Sequence, residues 1–218
     1  MHSRRRRPTP FWAACLALSC GLMASSPARA AAEAPTQPTQ PAPPAADVQL
    51  AKQVQGTVNR LIGAIRFQKD DLAAQQLALT AMGQALMADS WTRMTPAQQA
   101  AFAADLEAIL RGISFPRGRE MFVHFKAILF GPVQIDGAQA RVRSTITVHE
   151  ALKKTEIPLE WVLVRSDSAW RVVDVMTLGE STMAGLRQDQ VLPLLQEGGI
   201  EKVLAALHAK ASEFKGRK

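Results

Sequence analysis

Apolar residues recur along this chain first at helical spacing and then in strict alternation, and the change of period divides the sequence into a helical half and a sheet half. From Asp47 to about Arg66, Val54, Val58, Leu61, Ile62 and Ile65 fall on one stripe, with Asp47 placed to cap the helix. From about Asp71 to Met87, Leu72, Leu77, Leu79, Met82 and Leu86 predict a second helix. The stretch "TPAQ" is a start signal: Thr95 as N-cap, Pro96 at the first helical position and Gln98 three residues on form a capping box. The helix that follows carries Phe102, Leu106, Ile109 and Leu110 to Gly112. "PRGREMFVHFKAIL", residues 116–129, predicts one more, with Met121, Phe122, Phe125 and Leu129 inward.

The period then becomes two. Val142, Ser144, Ile146 and Val148 alternate with Arg141, Arg143, Thr145, Thr147 and His149, as in a strand with one wet face. A short strand at 132–136 precedes it, turned by Asp136-Gly137, and strands at 156–165 and 170–177 follow, joined by the polar turn 166–169. Pairing Arg165 with Trp170 puts Leu159, Trp161, Leu163, Trp170, Val172, Asp174 and Met176 on one face. Val162, Val164, Val173 and Val175 occupy the other, so both sides need cover. The expectation is an α+β domain: a curved antiparallel sheet of about four strands wrapped by several helices. After Gly179 a helix runs toward Gln196, with a bend near Asp189 imposed by Pro193. Gly198-Gly199 ends it, and a last helix from Ile200 buries Val203, Leu204 and Leu207.

The termini change what the composition means. Residues 1–30 combine Arg4 to Arg7, an apolar run from Phe11 to Met23 and Ala28-Arg29-Ala30, the pattern of a secretory signal peptide cut after Ala30. That segment holds five of the 26 Lys and Arg and none of the 19 Asp and Glu, so the overall +7 becomes +2 for residues 31–218. A nucleic-acid binder's basic footprint is therefore not expected. Both cysteines, Cys15 and Cys20, lie in the same segment, leaving the mature chain without disulfides or thiols. "ALSCG", residues 17–21, is a weaker alternative, a lipoprotein site at Cys20 with Ala17 where Leu is usual. Residues 31–46 are rich in Pro and Ala and read as an extended spacer. The folded domain spans 47–214.

Chemistry is sparse. Gly179-x-Ser181 at a strand-to-helix joint invites a serine-hydrolase reading with His208 downstream, but Met183 stands where such elbows need glycine. The alternative reading makes Ser181 a helix N-cap. His124 and His149 lack metal-ligand neighbours at helical spacing, and the carboxylate pairs Asp70-Asp71 and Glu156-Glu160 fit solvated positions. Asp174 falls on the apolar face beside Trp161, where the indole N–H or Arg187 would supply its donor.

Two stretches carry a resemblance. "SWTRMTPAQQAAF", residues 90–102, and "IPLEWVLVRSDSAWRVVDVMTLGESTMAGLRQDQV", residues 157–191, resemble the MlaC family of periplasmic phospholipid carriers, also called toluene-tolerance auxiliary transport components. The likeness covers about Val54 to Leu207. It implies an apolar lipid cavity between sheet and helices and a non-enzymatic, monomeric, periplasmic carrier without a cofactor. It implies as partners a phospholipid, an inner-membrane ABC transporter with MCE lipid-binding domains and an outer-membrane lipoprotein–porin complex. Asp174, Gly179, Ser181 and Arg187 become the architecture of the joint. Candidate cavity-wall residues are Phe102, Leu106, Phe122, Phe125, Trp161, Leu163, Val172, Met176 and Leu186, each of which equally suits ordinary core. The chain departs from the family in having no tyrosine, with Leu186 before Arg187 and Val191 at an aromatic position of the last long helix. A secreted esterase using Ser181 and a lipid-free envelope scaffold are the competing readings.

Overall fold

The computed structural model describes residues 45–150 and 153–215. The expected leader and the spacer up to residue 44 lie outside the described residues. Helix α1 (Ala45–Arg66) buries Val54, Val58, Leu61 and Ile62, the stripe its spacing predicts. It packs on a five-stranded antiparallel sheet ordered in sequence: β1 (Phe125–Asp136), β2 (Gln139–Glu150), β3 (Lys153–Ser166), β4 (Ala169–Thr177) and the two-residue β5 (Glu180–Ser181). The hairpin turns fall where expected, with Asp136 opposite Gln139 around Gly137 at φ 55° and Arg165 opposite Trp170. On β2, Ala140, Val142, Ser144, Ile146 and Val148 are buried as the alternation predicts, but Thr147, expected on the wet face, is buried as well, so the alternation breaks down at the far end of the strand.

Two predicted helices come out differently. The second divides into α2 (Asp70–Ala74) and α3 (Leu79–Met87), with a turn at 75–76 and a one-residue bridge at Leu77 between them. The division is tertiary in origin: Ala78 N–H donates to Val172 O and Val172 N–H to Gln76 O, both at 2.8 Å, so the chain leaves the helix to dock on β4. The helix expected over 116–129 is α5 (Phe115–Phe122), and its second half is instead the beginning of β1. Register shifts between Phe125 and Ala127 and between Phe130 and Val133 put Phe125, Ile128 and Phe130 against β2 at uneven spacing. That bulge, with Phe122 at the helix end, imitates a helical period. Leu129, expected inward, is 69% exposed.

The remaining helices form a second packed region. The helix that the capping box starts is α4 (Pro96–Ile109): Gln98 N–H donates to Thr95 Oγ1 and Thr95 N–H to Gln98 Oε1. Around it lie α3, the 3₁₀ turn Ala88–Arg93, α6 (Thr182–Leu186) and α7 (Leu192–Ser212). Trp91 meets Phe102 edge-on at 5.8 Å. The bend expected near Asp189 is a π-turn over Arg187–Val191, just ahead of Pro193 near the start of α7. Gly198 and Gly199 interrupt α7 with non-helical dihedrals, Gly199 at φ 65°.

Candidate functional site

The strand-to-helix joint is built on a buried carboxylate. Between Val162 and Leu163 the β3–β4 register shifts, so Leu163 opposes Val172 while Val162 opposes Asp174. The extra residue, Val173, rotates Asp174 and Met176 away from Trp161, whose cross-strand neighbour becomes Val175. The expected placement of Asp174 beside Trp161 is therefore corrected by one residue of bulge. The Trp161 indole donates to Ser144 Oγ at 2.8 Å instead.

Asp174, 9% exposed, takes its donors from the joint itself. Its Oδ1 accepts from Val175 N–H at 2.8 Å and Met183 N–H at 3.1 Å, and its Oδ2 from the Ser181 hydroxyl at 2.5 Å. Ser181 in turn accepts from Ala184 N–H at 2.9 Å, which makes it the N-cap of α6. Gly179, at φ 85°, turns the chain from β4 into β5. Arg187 is not a donor to Asp174: its Nε is buried without a hydrogen-bond partner among the described residues, as is Gln190 Oε1 on the same π-turn.

Among the described residues no hydrogen bond joins Ser181 to a histidine. The histidine that a Ser181 triad would recruit, His208, holds its Nδ1 at 3.1 Å from Asp105 Oδ2. Asp105, 5% exposed, also accepts from Lys215 Nζ at 2.5 Å, so this cluster ties α4 to the end of α7. Among the described residues no group of three or more His, Cys, Asp or Glu is placed to hold a metal ion, and no helix is long and apolar enough to cross a membrane.

The apolar candidates separate into two regions. Phe122, Trp161, Leu163 and Val172 belong to one buried cluster with α1, and Phe125 packs at its margin, edge-on to Phe122 at 6.3 Å. Phe102 and Leu106 are equally buried but lie on α4, outside that cluster. Met176 lies on the opposite side of β4 from that cluster, and Leu186 is half-buried just ahead of the π-turn. One hollow, lined by Pro132, Gln134, Arg141 and Glu160, holds about 190 Å³, and another, lined by Arg60, Phe67, Lys69 and Leu72, holds about 230 Å³. Both are below the roughly 300–1,000 Å³ of small-molecule pockets. In the apolar layer between α1 and the sheet, Leu163 and Ile146 are at 0% exposure and Val172 at 1%.

Sequence reasoning placed Ser144 in phase with the buried face of β2 without giving it a partner, and did not single out Thr57 or Arg66. Thr57, 1% exposed, donates from α1 to Trp170 O at 3.3 Å and joins helix to sheet. Arg66 lies over the Phe125 ring at 4.4 Å. A polar residue inside an apolar stripe was the available signal for Thr57.

The sequence profile of the MlaC protein family matches residues 52–209. The phospholipid-binding protein from Ralstonia solanacearum, solved in complex with a phospholipid, overlays with a TM-score of 0.61 at 18% identity, covering 76% of this chain and 98% of that one. A protein of unknown function from Mycobacterium tuberculosis overlays with a TM-score of 0.32 at 14% identity, covering 78% of this chain and 95% of that one. No curated protein sequence matches the chain.

Proposed function

The chain belongs to the MlaC family, and on that basis we propose that it is a periplasmic phospholipid carrier, exported through cleavage of residues 1–30. The observation that carries the proposal is the family match over residues 52–209, which spans nearly the whole folded part. The phospholipid held by the Ralstonia solanacearum protein of the same fold supports the ligand class.

In this reading the acyl chains occupy the apolar layer between α1, α5 and the sheet, where Phe122, Trp161, Leu163 and Val172 already form a continuous apolar lining. Because these side chains fill the layer, loading requires helices to part from the sheet, and the lipid takes over the contacts they give up. Each buried CH₂ of the lipid contributes about 0.8 kcal/mol. Spontaneous loss into water is then very slow, so transfer takes place at partners: an inner-membrane ABC transporter with MCE domains and an outer-membrane lipoprotein–porin complex. The carrier performs no covalent chemistry, consistent with the engagement of Ser181 in capping and in the bond to Asp174.

The test is native mass spectrometry of the mature protein from a gently prepared periplasmic extract, followed by solvent extraction and lipid analysis. The expected result is a bound population heavier by one or more phospholipids. A clean apo mass that persists after incubation with vesicles overturns the proposal, and ester turnover abolished by Ser181→Ala replaces it with the hydrolase.

A further inference from the structure

One end of the molecule gathers exposed apolar side chains and cations. Where α1 gives way to α2, Phe67 is 67% exposed and Leu72 48% exposed, and the two line a hollow of about 230 Å³ with Arg60, Gly63, Ala64 and Lys69. Helix α5 packs on the same end of α1, since a Cβ on Gly118 would stand 3.1 Å from Ile65 Cγ2. Just past α5, Val123 is 67% exposed. Arg66 links the two segments, its guanidinium 5.4 Å from the Phe67 ring centre and 4.4 Å from that of Phe125. Exposed apolar residues scattered singly need no explanation, but a contiguous group rimmed by charge marks an interaction surface.

The charge is one-sided. Residues 60–71 and 111–126 carry Arg60, Arg66, Lys69, Arg111, Arg117, Arg119 and Lys126 against Asp70, Asp71 and Glu120. The aspartates are engaged from α2, Asp70 with Arg119 at 2.7 Å and Asp71 with Arg111 at 2.8 Å. The two segments together sum to +4, against +2 for residues 31–218 as a whole. Aromatic and aliphatic side chains beside lysine and arginine are the combination that seats a protein in the interface of an anionic bilayer, apolar groups in the headgroup boundary and cations against the phosphates.

We propose that the end of the molecule carrying Phe67, Leu72 and Val123, rimmed by Arg60, Arg66 and Lys69, docks on anionic membrane surfaces. This goes beyond lipid carriage and does not depend on it, because docking uses exposed side chains and carriage uses buried ones. A carrier that docks this way meets the bilayer with the edge of the apolar layer, at Phe122 and Phe125, next to the lipid.

The test is flotation of the mature full chain with vesicles of phosphatidylcholine containing about one-third phosphatidylglycerol, against pure phosphatidylcholine vesicles, at low and high salt. Binding to the anionic vesicles is expected, weakening as salt shortens the screening length to about 10 Å at 0.1 M and further above it. Phe67→Ser and Arg66→Glu are each expected to lower vesicle affinity at least tenfold. Val48→Ser, an exposed apolar position near the other end of α1, is expected to leave it unchanged. Melting curves and native mass spectra of the same variants report folding and retained lipid separately from docking. Equal binding to neutral and anionic vesicles, or folded Phe67→Ser and Arg66→Glu variants that float like the wild type, overturns the proposal.

Discussion

The Ser181 hydroxyl donates to Asp174 Oδ2 at 2.5 Å while accepting from Ala184 N–H at 2.9 Å, so one side chain closes the strand below it and caps the helix above it. The proton and one of the two lone pairs of the hydroxyl are thereby engaged in structural bonds. Ser181→Ala is therefore expected to act on stability. An N-cap contributes about 1 kcal/mol, and Asp174 loses one of its three donors besides, so a loss of about 1–3 kcal/mol is expected in urea denaturation. Retained lipid, read by native mass spectrometry, should not change.

Asp174→Ala removes the acceptor shared by Val175 N–H, Met183 N–H and Ser181. Hydrogen bonds to a charged group contribute about 1.5–3 kcal/mol each, and water entering at the joint recovers part of that. The expected loss is about 3 kcal/mol, with Asp174→Asn intermediate because its carbonyl still accepts from the two N–H groups. Urea midpoints of the two variants measured side by side check the order.

Gly83 lies under the aromatic pair of the helical region, and a Cβ there would stand 2.5 Å from Trp91 Cζ3 and 3.3 Å from Phe102 Cδ1. In a helix interior alanine is otherwise the better residue. Overpacking is expected to outweigh that gain, so Gly83→Ala should lower the melting temperature by an amount corresponding to about 1–3 kcal/mol. A raised melting temperature would show that Trp91 has room to move aside.

Leu163 and Phe102 are both buried, but Leu163 lines the sheet layer and Phe102 the helical region. Truncation to alanine is expected to cost about 2–5 kcal/mol at either position. Lipid retention separates them: Leu163→Ala should change the amount or the chain length of bound phospholipid, and Phe102→Ala should leave both as in the wild type. Lipid extraction from matched amounts of the two folded variants decides which apolar region holds the acyl chains.

Several elements were legible because their signals are local. The capping box Thr95-Pro96-Gln98 started α4 where it was expected, and the alternation of Val142, Ser144, Ile146 and Val148 gave β2 its buried face. The Arg165–Trp170 pairing followed from the length of its turn. The family likeness in residues 157–191 was visible because a strand, hairpin, strand and glycine-serine joint follow in a fixed order.

The sequence by itself determined the α+β class, the meander, most of the buried positions and the role of Ser181 as a cap, since each depends on periodicity or on neighbours a few residues away. Only the tertiary structure decided the rest. The break at Gln75–Ala78 exists because β4 offers Val172 as a hydrogen-bond partner from nearly a hundred residues away in sequence. The partners of Asp174 were set by a one-residue bulge at Val173, which turns every later side chain of β4 to the opposite face. The start of β1 was hidden by its own bulge, which spaces Phe125 and Ile128 as a helix would. A bulge adds one residue to one strand only, so its position depends on the partner strand, and no window along a single segment contains that information.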